Sequence, residues 1–322
     1  MRRIKIDSTL ETKVNSFCTN LFNDRNFKHP KDSLIKLKSS VLGRKKKSYI
    51  QHIVDNYDRI LKAKPTEQNI LISEFENIIP NTQISEDFYK KIVESMRYKD
   101  LREKDIIPIL KEVGIKACVY CNAMLTVVLD KTYKTGKRRK QVIDQQAKAN
   151  LELDHFFPKS KYPFLCTSFY NLFPCCSNCN RAKHDKDAKF QLYTEGDNLD
   201  VFRFSLEKNS IEKYWLNKNL EHIKIEFNTV LGNDGLLENH TELFCIPQVY
   251  ETQKDLAEEL IHKAFVYNKS YRKDLVRNYE SLFPDSTIVK RLIVGNYTNP
   301  DEIHKRPMAK FTYDIAKQLK LI

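Results

Sequence analysis

The chain has 322 residues, a formal charge of +13 and a sequence pI near 9.2, long enough for one large core or two to three small ones. So strong a cationic excess points to a polyanionic partner, nucleic acid first. No apolar run approaches a membrane-spanning helix, and Met1-Arg2-Arg3 runs into Lys5 and Asp7 rather than the apolar core of a signal peptide, so a cytoplasmic protein with no membrane partner is expected.

Seven glycines and a 30% charged fraction suit a helix-rich chain with few tight turns. Residues 1 to 114 read as a helical region. Ser8-Thr9-Leu10-Glu11 has the pattern of a capping box, and Leu10, Val14, Phe17 and Leu21 recur at helical spacing behind it. Gly43 to Lys47 is a basic loop, suited to solvent or to phosphate, before a second periodic stretch with Ile50, Ile53, Val54, Tyr57, Ile60 and Leu61. Pro65 starts a third helix through Ile79, Pro80 stops it, and Ser85 with Glu86 and Asp87 opens a fourth through Met96. A fifth, near Lys99 to Val113, is interrupted by Pro108 and ended by Gly114. No catalytic constellation falls in this region, so packing or partner binding is its expected role.

Cys118-Val119-Tyr120-Cys121 and Cys176-Ser177-Asn178-Cys179 are two C-x2-C knuckles, and such a pair supplies the four thiolates of a closed structural Zn²⁺ site. The gap between them exceeds that of a zinc ribbon, so a whole subdomain loops out of the metal site and returns. Cys18, Cys166, Cys175 and Cys245 lack any pairing logic and are expected to be small buried hydrophobes, the P-x-C-x-x-C spacing favouring Cys176 over Cys175. Met124 to Leu129 is rich in β-branched residues and predicts a strand leaving the first knuckle. Lys131 to Lys140 follows as a hairpin tip or loose loop crowded with Lys137, Arg138, Arg139 and Lys140, placed for phosphate contact. Leu151 to Phe157 alternates apolar and polar residues, a short strand ending before Pro158. Neighbours on a strand face opposite ways, so Asp154 and His155 serve one site together only where the strand ends or twists. Pro158 to Pro163 is a rigid basic loop that offers Lys159 and Lys161 to phosphate. Asn171-Leu172-Phe173-Pro174 then leads into the second knuckle, and Cys179 to Lys186 opens a helix with Asn180 and His184 on one face and Lys183 as a further phosphate contact.

Asp154-His155, then Asn171, then Asn180 directly after a C-x2-C, with Pro174, Cys176, Cys179 and Lys183, fit the pattern DH…N…P-x-C-x-x-C-[HN]-x-x-K. Over about residues 115 to 190 the chain therefore resembles an HNH nuclease with a ββα-metal fold, Asn180 standing where many relatives have His. Phosphodiester hydrolysis needs an attacking hydroxide and neutralisation of charge on the phosphate and the departing oxygen. His155, neutral near pH 7, is the candidate general base. A hard cation, Mg²⁺ or Mn²⁺, prefers oxygen ligands: the Asp154 carboxylate, the Asn180 amide oxygen, phosphate and water. The resemblance implies that Asn171 orients the base and its loop, and that products end in 5′-phosphate. His184 is a further candidate ligand or phosphate partner. The run from Asp154 through Pro158-Lys159-Ser160-Lys161-Tyr162-Pro163-Phe164-Leu165 is also similar to nuclease subunits of Septu-type bacterial anti-phage systems, which implies a defence role and an ATPase partner subunit.

Beyond residue 190, Val201 to Ser205 and Ile223 to Phe227 alternate as two strands that can pair, and Gly232-Asn233-Asp234-Gly235 predicts a turn. Residues 248 to 321 return to helical periodicity, broken near Pro284 and Pro300, and Trp215 reads as core. The expectation is an α+β protein, mostly helical: a helical region over 1 to 114, a zinc-stapled ββα-metal module over 115 to 190, and a mixed then helical region over 191 to 322. Metal-dependent hydrolysis of DNA is the expected activity, with RNA left open. Two rivals stand beside it: a zinc-stabilised nucleic-acid-binding subunit without autonomous hydrolysis, and an effector inert until its ATPase partner binds.

Overall fold

Asp7, not Ser8, caps the first helix in the computed structural model: its carboxylate accepts the Leu10 N–H at 2.8 Å, and Ser8–Asn20 follows. An ionised carboxylate is a strong acceptor at a helix start, so it outcompetes the neighbouring hydroxyl. The structure describes residues 1–22, 29–135, 142–230, 232, 235–278 and 285–322. Leu10, Val14 and Leu21 are buried as the periodicity predicts. Helix Pro30–Ser40, with proline in its first turn, precedes helix Arg44–Asp55, whose own first turn is Arg44–Lys47; these cations are therefore helical and exposed, not a loop. Tyr57–Leu61, Pro65–Ile78 and Glu86–Ser95 follow, the last with Ser85 at its N-cap. The break expected at Pro108 comes earlier. Tyr98–Asp100 runs through a π-helical turn, Leu101–Asp105, into Ile106–Val113, where Pro108 occupies a first-turn position at which its missing N–H costs little. Gly114, at φ +76°, ends that helix in the left-handed conformation that glycine tolerates.

The described strands form four two-stranded sheets. β1 (Ile4–Lys5) pairs in parallel with Tyr193–Thr194, tying the N-terminal segment to the stretch just after the second knuckle and its helix. β2 (Val127–Thr135) and β3 (Val142–Asn150) are antiparallel, so Lys131–Thr135 is paired strand rather than loop; Lys137, Arg138, Arg139 and Lys140 lie outside the described residues. β4 (Glu152–His155) and β5 (Leu172–Cys175) are antiparallel with Asp154 opposite Phe173 and His155 opposite Leu172, and helix Ser177–Lys183 follows directly. With Tyr193–Thr194 counted as β6, β7 (Phe202–Leu206) and β8 (Ile225–Thr229) pair antiparallel as their alternation predicts. Helix Lys208–Asn217 connects them, and Gly235, at φ +72°, caps helix Leu236–Phe244; residues 233 and 234 of the expected turn lie outside the described residues.

Helices Ile246–Glu251, Lys254–Val266, Lys269–Asn278, Ser286–Val294 and Ala309–Gln318 complete the chain, with a 3₁₀ turn at Pro300–Lys305 and Pro284 outside the described residues. The last helix docks on β7. Asp314 accepts the Phe204 N–H at 2.9 Å and Gln318 accepts the Leu206 N–H at 2.7 Å, so two edge donors of the sheet are satisfied by side chains. The segment before that helix clasps the first knuckle: the Asn122 carbonyl accepts the Met308 N–H at 2.6 Å, Asn122 Oδ1 accepts the Lys310 N–H at 2.9 Å, and the His304 carbonyl accepts the N–H groups of Lys116 and Ala117 at 2.7 and 3.0 Å. The architecture is α+β, its buried side chains forming one continuous core through all three regions. Cys166 and Cys175 are buried and Cys18 half-buried, but Cys245 is exposed at a helix junction, against the expectation of a core residue. Trp215 is half-buried beside Phe265, with the Lys218 ammonium 3.3 Å from its ring centre. No helix among the described residues is long and apolar enough to cross a membrane.

Candidate active site and metal frame

The two knuckles meet. The sulfurs of Cys118, Cys121, Cys176 and Cys179 all lie within 4.8 Å of one another and all four residues are buried. Four thiols so placed can bind a metal such as zinc, and Cys176 rather than Cys175 joins the cluster, as the spacing predicts. The backbone around it is tied from outside: Tyr250 O–H donates to the Cys121 carbonyl at 2.8 Å, and His240 Nε2–H donates to the Tyr120 carbonyl at 2.8 Å.

Against this frame β4, β5 and helix Ser177–Lys183 make a strand, strand, helix unit with a cavity of about 260 Å³ at its mouth. Asp154, His155, Asn180 and His184 all line it. His155 is the last residue of β4, the strand end at which neighbouring side chains can share a site. Its Nε2 lies 3.0 Å from the Cys166 carbonyl. A carbonyl only accepts, so Nε2 carries the proton and Nδ1 is left with the lone pair. Burial, aided by the nearby Lys159 charge, lowers the His155 pKa to about 3, so the ring is neutral at pH 7. The Tyr98 ring packs 4.7 Å away, centre to centre, and fixes its tilt.

Asn171 is fully buried and grips the loop between the strands: Oδ1 accepts the Phe157 N–H at 2.8 Å, while Nδ2 donates to the carbonyls of Leu165 at 3.0 Å and Phe157 at 3.2 Å. It does not line the cavity; it fixes the loop that follows His155 and carries the Cys166 carbonyl. Asp154 is buried too. Tyr120 O–H donates to Oδ2, and Lys183 Nζ lies 3.1 Å from Oδ2 and 3.3 Å from Oδ1. Burial raises the Asp154 pKa, and the Lys183 charge opposes that rise. Asn180 is half-buried, and its carboxamide makes no hydrogen bond among the described residues. An Asp carboxylate and a free amide oxygen on one cavity are donors of the hard-oxygen kind that Mg²⁺ or Mn²⁺ takes while keeping water and phosphate in its other positions.

Three sequence expectations change here. Helix Ser177–Lys183 stops before His184, which adopts φ +46° and is 78% exposed with Nδ1 3.6 Å from Asp185; His184 reaches the cavity from beyond the helix rather than along its face. Lys183 has no exposure and donates to the His155 carbonyl at 2.7 Å as well as contacting Asp154, so this buried counter-charge is not free for phosphate. Lys161 pairs with Asp187 at 3.1 Å away from the cavity, whereas Lys159 lines it, 4.8 Å above the Tyr98 ring centre. Tyr98, Arg102 and Arg181 also line it and were not foreseen. Arg181 could have been found one residue past Asn180, but Tyr98 and Arg102 come from the helical region and carry no local sign; Arg102 pairs across the rim with Glu152.

No family model matches the chain, and no solved structure matches it. The chain is similar to the Septu protein PtuB of Bacillus thuringiensis, 27% identical over 109 residues, which cover 32% of this chain and 35% of that protein.

Proposed function

We propose that the chain is a metal-dependent HNH endonuclease that hydrolyses DNA phosphodiesters as an effector of anti-phage defence, beside an ATPase partner subunit. The observation that carries this reading is the convergence of Asp154, His155 and Asn180 on one cavity of a strand, strand, helix unit, with His155 held as the tautomer whose Nδ1 can accept a proton. In the reaction, His155 Nδ1 takes the proton from the attacking water, and Asn171 keeps the ring aligned through its loop. Asp154 and Asn180 would hold a Mg²⁺ or Mn²⁺ ion, which when bound supplies charge neutralisation at the phosphate and the departing oxygen. Lys159, Arg102 and Arg181 line the same cavity and suit the phosphates on either side of the scissile bond. The likeness to a Septu protein supports the defence role.

One observation favours the rival, a binding subunit without autonomous hydrolysis or an effector awaiting its partner: Asp154 is already satisfied by Tyr120 and Lys183, and Arg102 is already paired with Glu152. Supercoiled plasmid incubated with EDTA, Mg²⁺ or Mn²⁺ separates the readings, comparing wild type with His155→Ala at matched zinc content. Metal-dependent nicking or linearisation lost in the variant supports the nuclease. DNA retention without cutting in any metal rejects autonomous hydrolysis, and cutting that appears only on addition of an ATPase subunit favours the gated effector.

A further inference from the structure

Tyr120 stands inside the first knuckle, two residues after one thiol and one before the next, yet its side chain serves the cavity. We infer that Tyr120 is a positioning residue for the Asp154 carboxylate, so that the cysteine frame sets the geometry of the hydrolytic site as well as stapling the fold. This rests on the endonuclease reading given above.

The ring has little freedom. It is fully buried, stacks on Phe244 at 4.4 Å between centres with 16° between planes, and meets Phe173 at 6.1 Å. Its backbone is pinned as well, since the Tyr120 carbonyl accepts His240 Nε2–H at 2.8 Å and the next carbonyl, that of Cys121, accepts Tyr250 O–H at 2.8 Å. The phenol O–H therefore points from a rigid support, and it donates to Asp154 Oδ2. Lys183 Nζ sits closer to the same oxygen, 3.1 Å against 3.3 Å to Oδ1. The Lys183 hydrogen bond goes to Oδ1 and the Tyr120 hydrogen bond to Oδ2, so each carboxylate oxygen has a buried donor and the plane is fixed where Asp154 borders the cavity. A carboxylate held in this way keeps one orientation, which is what a ligand to a hard cation requires; loss of such supporting hydrogen bonds costs roughly 10- to 100-fold in metal affinity or activity. Lys183 is the last residue of helix Ser177–Lys183, whose N-cap is Cys176, so both knuckles send one donor to Asp154.

Tyr120→Phe keeps the ring, its stacking and its volume and removes only the donor. In the full-length, zinc-loaded chain, the variant is expected to keep its zinc and to melt within a few degrees of wild type, while its affinity for Mn²⁺, measured by electron paramagnetic resonance or calorimetry, falls about 10-fold or more. Plasmid cleavage should fall in kcat with KM for DNA unchanged. Phe244→Leu, which loosens the stacking but keeps the phenol, should lower the melting temperature and leave Mn²⁺ affinity within about 2-fold, a difference small beside the 10-fold that loss of the donor predicts. Unchanged Mn²⁺ affinity in Tyr120→Phe, or zinc loss that accounts for its defect, overturns the assignment. Wild type that neither binds Mn²⁺ nor cuts rejects the endonuclease reading instead, and the positioning claim is then read from melting alone. Tyr120→Phe should cost stability in the presence of Asp154 and nothing further in an Asp154→Ala background, whereas equal costs in both backgrounds overturn it.

Discussion

His155, His240 and His304 share one chemical situation in three places. Each is buried, each donates Nε2–H to a backbone carbonyl, of Cys166, Tyr120 and Arg2 at 3.0, 2.8 and 2.8 Å, and burial lowers their pKa values to about 3, 3 and 4. They part at the other nitrogen. Nδ1 of His240 and of His304 is buried without a hydrogen-bond partner among the described residues, inside the core, while His155 lines a cavity shared with Asp154 and Asn180. A neutral buried imidazole is therefore a common device of this fold, used twice to tie segments to the knuckle and its clasp. Access to a cavity, and the company there of a carboxylate and a carboxamide, sets His155 apart.

Four changes break or sharpen that contrast, in order of expected effect. Cys176→Ser removes one of the four frame thiols, and because metal binding in such sites supplies about 10 to 16 kcal/mol of folding free energy, the module should unfold; retained zinc content with normal melting contradicts this. His155→Ala should lower cleavage by about 10²- to 10⁴-fold at wild-type zinc content, checked by single-turnover rates on plasmid. Lys183→Met leaves the buried Asp154 carboxylate without its counter-charge and should cost about 3 to 5 kcal/mol in chemical denaturation, far more than a surface lysine. The smallest effect is on pH. His240 and His304 have folded pKa values of about 3 and 4, below the ordinary 6.5, so the stability they lend by staying neutral is full above pH 6.5 and drains as pH falls towards those values. The unfolded chain takes up the protons first, and each histidine costs up to about 1.4 kcal/mol per pH unit across that window. Melting temperature measured from pH 7 to pH 4 should fall, and a His304→Leu chain should fall less steeply.

Much of the frame was legible because spacing alone constrains it. Two C-x2-C knuckles admit few arrangements, and the alternation through Leu151 to Phe157 gave the strand that carries Asp154 and His155. The buried partners were not legible. Tyr120 looks like an ordinary aromatic residue between two cysteines, and Lys183 matches a position expected to meet phosphate, yet both turn inward to one carboxylate because that carboxylate is buried and needs donors. Tyr98 and Arg102 reach the site from a helical region some fifty residues upstream, an approach set by tertiary packing and by the π-helical turn at Leu101–Asp105. The end of the helix at Lys183 was missed as well, since His184 breaks it at φ +46° and ψ −123°, outside the left-handed helical region that histidine visits more often than most residues.

The most direct test sets His155→Ala beside His304→Leu in one metal-dependent plasmid cleavage and melting experiment, each at wild-type zinc content. The account predicts that His155→Ala stays folded with its zinc and does not cut, while His304→Leu melts lower and still cuts. Cutting by His155→Ala at the wild-type rate, or equal loss of cutting in both variants, would contradict it.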